Sequence, residues 1–291
     1  MTFTDDQMLM VRQMIANASE SLIAAGTMVT RDAGNDGTCR IQPGTQAQSV
    51  KVSSTVDARP GDRVTLIRTG PTEWTVVARF GQHAPDQQIF DATATWTKPA
   101  GAQWLRVRVQ APGGGGGGPV VTGSNTSAGA GAQAGAYAES WILADNVTAT
   151  VAVTIGAAGT SAAGGIGTDA GSASFGAYVT ATGGQGASRT GAGTTPIVVI
   201  GGNATPTMVG QIQIPGAAGG PGMRLDANAA VSGAGGNSVW GAGGIAVPNG
   251  NDGWPGRGYG AGGGGGANGP SQSARPGGAG APGRIIVGTF F

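Results

Sequence analysis

Aromatic residues are scarce in this chain, at 5%, yet three of them stand among glycines in the stretch 240–259: Trp240, Trp254 and Tyr259. Asn251, Asp252 and Arg257 lie between them. Aromatic rings stack on the apolar faces of sugars, and amide, carboxylate and guanidinium groups hydrogen-bond hydroxyls. These six residues are therefore the candidate receptor-binding set, and the ligand class they suit is a cell-wall glycan or a glycolipid. The competing use of Trp240 and Trp254 is as plugs of the domain's own core. Asp226, Asn251 and Asp252 carry oxygen ligands but no EF-hand spacing, so no metal is expected.

Catalytic constellations are missing from the sequence. The single histidine, His83, sits in Gly81-Gln82-His83-Ala84-Pro85 and reads as a solvated linker residue, so a serine hydrolase has no base. Cys39 stands alone, which excludes an internal disulfide and reads as a buried small residue. A glycosidase needs paired carboxylates, and from Gly113 onward there are only Glu139 and four scattered Asp. The reading is a non-enzyme without cofactor. A net charge of +1 with 11% charged residues supplies no basic stripe, so a nucleic-acid partner is not expected. The opening Met-Thr-Phe-Thr-Asp-Asp lacks the pattern of a signal peptide, and no apolar run approaches the ~20 residues of a membrane span.

The elements that must position such residues divide at the run Gly113–Gly118. Of the 59 glycines, 51 lie at or after it. Before it, Thr4 with Gln7 forms a capping box, and Met8, Val11, Ile15, Ala18 and Leu22 repeat at helical spacing. This predicts a helix ending near Gly26, whose narrow apolar face either packs on its own domain or makes a short coiled coil. Five short alternating runs follow (27–30, 39–41, 50–52, 63–68 and 74–79), separated by turn signals, and they suit a small barrel of the OB or SH3-like kind. Trp74 reads as its core residue. The domains expected are thus an oligomerising helix at 1–26, a small β-barrel at 27–85 and a glycine-rich β-domain at 86–291. The overall class is mainly β.

Within the third region, Leu105, Val107 and Val109 alternate with Arg106, Arg108 and Gln110, a half-buried strand after a Pro99-Ala100-Gly101 turn. Further strands at 147–155, 175–182, 196–200 and 284–290 can bury a sandwich-like core. The glycine tracts between them cannot. Polyproline-II segments have three residues per turn and no internal hydrogen bonds, so glycine-only rows could bond to neighbouring rows. Gly113–Gly118, Gly262–Gly266 and Gly277-Gly278-Ala279-Gly280 are the row candidates, with flexible linker as the alternative.

The run Thr95-Trp96-Thr97-Lys98-Pro99-Ala100-Gly101, the strand Leu105–Gln110 and the polyglycine tract resemble the opening of the glycine-rich domain of phage tail fibres and minor tail proteins. Ala134–Ile142, Thr148–Gly159, Ser172–Gly184 and Gly280–Phe291 match the same family in order. Pro60–Val64 with Trp74–Gly81 resembles the small β-domains of minor tail proteins of phages infecting actinobacteria. The resemblance implies a virion tail protein with an ordered polyglycine lattice and, together with the helix seam, a homotrimer. It further implies N-terminal attachment to other tail proteins, a distal-tail location and contact with a host glycan or glycolipid. The alternative is a purely structural tail-tip component without receptor contact.

Overall fold

The computed structural model describes residues 23–31, 36–41, 48–54, 63–69, 73–80 and 86–291. The protein is mainly β, and two compact units divide between Ala84 and Pro85. The first contains β1 (Ile23–Arg31), β2 (Asp36–Ile41), β3 (Gln48–Ser54), β4 (Arg63–Arg68) and β5 (Trp74–Phe80). β1 lies antiparallel to β2 and to β4, β3 antiparallel to β2 and parallel to β5, and β4 antiparallel to β5. Each strand thus has two partners. Period-two alternation turns Val64 and Leu66 of β4 and Val76 of β5 inward with Val52 of β3, while Trp74 is half-buried.

Two expectations change here. The helix expected from Thr4 lies outside the described residues as far as Leu22. Its expected last turn, Ile23–Gly26, is strand: these four residues pair with Val64–Ile67, and that ladder satisfies their backbone as a helix end would not. A boundary at residue 26 therefore cuts β1. His83 also lies outside the described residues, and Cys39 is placed only as a backbone position of β2.

The second unit contains β6 (Asp86–Phe90), β7 (Ala94–Thr97), β8 (Trp104–Gln110), β9 (Ser127–Ala128), β10 (Tyr137–Leu143), β11 (Thr150–Ile155), β12 (Ala173–Phe175) and β13 (Val179–Ala181). There follow β14 (Ile197–Val199), β15 (Met208–Val209), β16 (Ile212–Ile214), β17 (Gly222–Arg224), β18 (Ala230–Val231), β19 (Trp240–Ala242), β20 (Arg257–Tyr259), β21 (Ala267–Asn268) and β22 (Arg284–Phe290). One five-stranded sheet has the order β16-β10-β8-β22-β6 and another the order β15-β13-β12-β11-β7. The alternation of β8 holds through Val109, with Leu105, Val107 and Val109 fully buried and Arg106 and Arg108 not. Gln110, expected on the wet face, is instead fully buried and donates to the Gly135 and Ala136 carbonyls of the neighbouring segment. Leu105, Val107 and Val109 meet Trp96, Val151, Val153, Phe175, Val179, Ile285 and Val287 in one core shared by both sheets, with Trp96 edge-on to Phe175 at 5.3 Å. The run 175–182, expected as a single strand, is a hairpin instead. Gly176 takes φ +51, which a residue with a side chain rarely adopts, and the chain reverses between β12 and β13.

Beyond the sheets, the glycine tracts form rows. The N–H groups of Gly113 to Gly118 donate in turn to Ala281, Gln133, Thr168, Gly278, Ala130 and Gly165. Every third residue therefore bonds the same neighbouring segment, as three residues per turn requires. Other segments donate back to the row: Gly159 to Gly113, Gly184 and Ala187 to Pro112 and Gly115, Gly263 and Gly266 to Gly114 and Gly117. This row touches six neighbours and is wholly buried. Residues 129–136 repeat the pattern, donating by turns to the segments at 260–266, 182–188 and 217–220. Residues 262–267 donate by turns to those at 233–236, 114–117 and 251–254. Residues 277–280 form another row, so all three candidate tracts are rows of one lattice. Alanine is admitted where a methyl finds room, and Ala130, Ala132 and Ala187 make a second small core with Val199.

Candidate functional site, an aromatic and ionic strip on the first sheet

The outer face of the first sheet is set by β8, β10 and β22, whose inner faces carry the core. Antiparallel register places outward residues in rows: Leu143, Trp104 and Phe290; Trp141, Arg106 and Gly288; Glu139, Arg108 and Ile286; Tyr137, Gln110 and Arg284. The β19–β20 ladder sets Trp240 opposite Tyr259. The Trp240 ring meets Tyr137 edge-on at 5.4 Å. Tyr137 Oη–H donates to Glu139, which also accepts from Arg106 Nε at 2.6 Å. The Arg106 guanidinium lies 5.6 Å from the Trp141 ring centre, and Trp141 lies 4.9 Å from Phe290. At the other end, Arg284 covers Tyr259 at 3.8 Å and grips Asp91 with two hydrogen bonds of 2.6 and 2.7 Å.

These contacts make one continuous strip. Its end away from Trp240 is open: Trp104, Trp141 and Phe290 line an apolar hollow of about 400 Å³, and Trp104 and Trp141 are 43% and 41% exposed. Gly288 adds no side chain beside it, and a Cβ there would meet nothing closer than Phe290 Cε2 at 3.6 Å.

The electrostatics hold the polar part in one state. Burial alone would raise the Glu139 carboxyl, but the hydrogen bonds from Arg106 and Tyr137, with the Arg106 and Arg108 charges, hold it below its ordinary value. Burial and the neighbouring Glu139 push the Tyr137 hydroxyl well above the usual phenol range. The hydrogen bond from Arg284 lowers Asp91. Glu139 is therefore a fixed anion that orients Arg106, and a half-exposed guanidinium over the Trp141 ring is a hydrogen-bond donor at the edge of an aromatic platform.

The structure divides the six residues singled out in the sequence. Trp240 and Tyr259 lie on the strip. Trp254 and Arg257 form a separate pair, the guanidinium 5.1 Å from a ring that is 43% exposed. Asn251 bonds the Pro248 and Asn249 carbonyls at 3.0 Å, and Asp252 pairs with Arg275 at 3.0 Å. Residues 251–256 run as a row beside 264–267 and 276–279. At ~3.1 Å per residue, Asp252 and Arg257 stand roughly 15 Å apart, toward opposite ends of that row. Proximity in sequence does not become proximity in space where the chain travels as an extended row. The sequence reading missed Trp104, Arg106, Tyr137, Glu139, Trp141 and Phe290. The signal available was the outward set of two amphipathic strands, Trp104-Arg106-Arg108 and Tyr137-Glu139-Trp141; their pairing was not legible.

Residues 89–289 match the glycine-rich domain family, and the chain belongs to that family. Comparison with curated proteins gives no match.

Proposed function

We propose that this chain is a phage virion tail component, a minor tail protein or tail fibre, whose glycine-rich unit is presented at the distal tail for contact with a host-surface glycan or glycolipid. The observation that carries this reading is the pairing of a close-packed lattice of rows with an aromatic and ionic strip whose Trp104–Trp141 end is exposed. A lattice bonded row to row resists deformation, and aromatic platforms with fixed donors recognise sugars. The N-terminal strands are read as a small barrel of the OB or SH3-like kind, attaching to other tail proteins. The parallel β3–β5 pair and β4 between β1 and β5 support that reading. A homotrimer remains part of the proposal, on the family resemblance and the apolar seam of residues 8–22. The chain acts without cofactor, catalysis, nucleic acid or membrane insertion.

The test is binding of the labelled full chain to intact cells and isolated walls of a panel of actinobacteria, with immunogold labelling of tailed virions carrying it. Saturable wall binding with distal-tail labelling is expected. Distal labelling without wall binding would favour the structural tail-tip component, for which the lattice alone suffices. No labelling of virions would overturn the proposal.

A further inference from the structure

Resting on the host-contact reading above, we infer that the hollow formed by Trp104, Trp141 and Phe290, with Arg106 at its side, is a pyranose-binding subsite. The sugar ring lies against the indole faces, and a hydroxyl or carbonyl oxygen of the sugar accepts from Arg106. Three observations on different groups converge on this. The rings are exposed and yet mutually packed: Trp141 contacts Phe290 at 4.9 Å while both tryptophans keep about two fifths of their surface open. A platform of that kind binds without first ordering its side chains, which lowers the entropic cost of binding. Next, Arg106 spends only Nε on Glu139 and lies across Trp141, and its terminal N–H groups bond no described residue. Glu139 itself is 5% exposed and already accepts from Arg106 and Tyr137, so the subsite offers donors and no free carboxylate. That selects a ligand rich in oxygen acceptors rather than a purely apolar side chain. Finally, Gly288 is the cross-strand partner of Arg106 on the side away from Trp141, so no side chain crowds Arg106 there.

The open surface ends at Arg106: Glu139 and Tyr137 beyond it are each 5% exposed, so the subsite holds one sugar ring, in the Trp104–Trp141 hollow.

The experiment uses the full chain on a printed array of neutral, N-acetylated and acidic pyranose oligosaccharides, with affinities then measured from tryptophan fluorescence on the best-bound sugar. Wild type is expected to bind, and Trp141→Ala to weaken binding about tenfold or more. Gly288→Leu is the second variant: it keeps every ring but sets a side chain against the edge of Phe290 and beside Arg106, and it is expected to weaken binding while melting like wild type. Wild-type binding that neither variant disturbs overturns the inference, as does a chain that binds no pyranose on the array. Retained wall binding in both variants would place the host contact elsewhere and leave the proposed function standing. Loss of wall binding by wild type itself would remove that function instead. If the chain sediments as an oligomer that Trp141→Ala dissolves, the hollow is a contact between copies and the inference fails.

Discussion

The substitution Gly117→Ala isolates what the rows require. A Cβ at Gly117 falls about 1 Å inside the 3.0 Å that such a carbon keeps from a backbone oxygen, and the atom it meets is the Ser188 carbonyl oxygen. Neither partner is a side chain that can rotate away, so the rows must separate. Two hydrogen bonds of 2.9 Å join the segment ending at Ser188 to this row, from Gly184 to Pro112 and from Ala187 to Gly115. A shift of about 1 Å stretches both past the hydrogen-bonding range. Each buried group left unpaired costs about 1–3 kcal/mol, and alanine recovers only about 0.4–1 kcal/mol by stiffening the unfolded chain. Counting one unpaired group for each of the two stretched bonds, the net expectation is a loss of about 1–6 kcal/mol. For a unit of this size that is a fall in Tm of about 2–24 °C. Thermal melts followed by tryptophan fluorescence suit the measurement, because five of the six tryptophans (96, 104, 141, 240 and 254) lie in the glycine-rich unit. The control is Gly123→Ala, where a Cβ meets nothing within 4 Å and no loss is expected. Equal melting of Gly117→Ala, Gly123→Ala and wild type would refute the reasoning, since it would mean the rows are not in contact.

Truncating the sandwich core at Phe175→Ala removes a fully buried ring that packs on Trp96, and a loss of about 3–5 kcal/mol is expected in urea unfolding. Tyr137 has a raised folded pKa, so its contribution to stability is complete below the ordinary phenol pKa and is lost as pH climbs through the folded value; ultraviolet titration should show one of the three tyrosines ionising last and with unfolding. Glu139 and Asp91 have lowered folded pKa values, so their contribution is present above the unfolded carboxylate range and disappears as pH falls through the folded values, and Glu139→Gln should flatten the acid limb of a Tm-versus-pH curve.

What the sequence determined by itself is local. Alternation in residues 105–109 fixed which face of β8 is buried, because side chains alternate strictly along a strand. In β22 three apolar residues in succession, Ile285, Ile286 and Val287, left the face to be chosen by pairing with β8. Turn residues set the five short strands before residue 81 apart, although Ile23–Gly26 joined β1 because an antiparallel partner outcompeted the last turn of an amphipathic pattern. The glycine tracts announced that backbone would have to pack on backbone. Only the tertiary structure decided which backbone. Gly114 bonds Gln133 and Gly116 bonds Gly278, and no local rule pairs segments so far apart. The same long-range pairing decided the candidate site. It carried Asn251 and Asp252 away from Tyr259 along an extended row, and it assembled Arg106, Trp141 and Phe290 from three strands into one hollow. Side-chain types and spacing specify which face of an element is wet; register between distant strands specifies which wet residues meet.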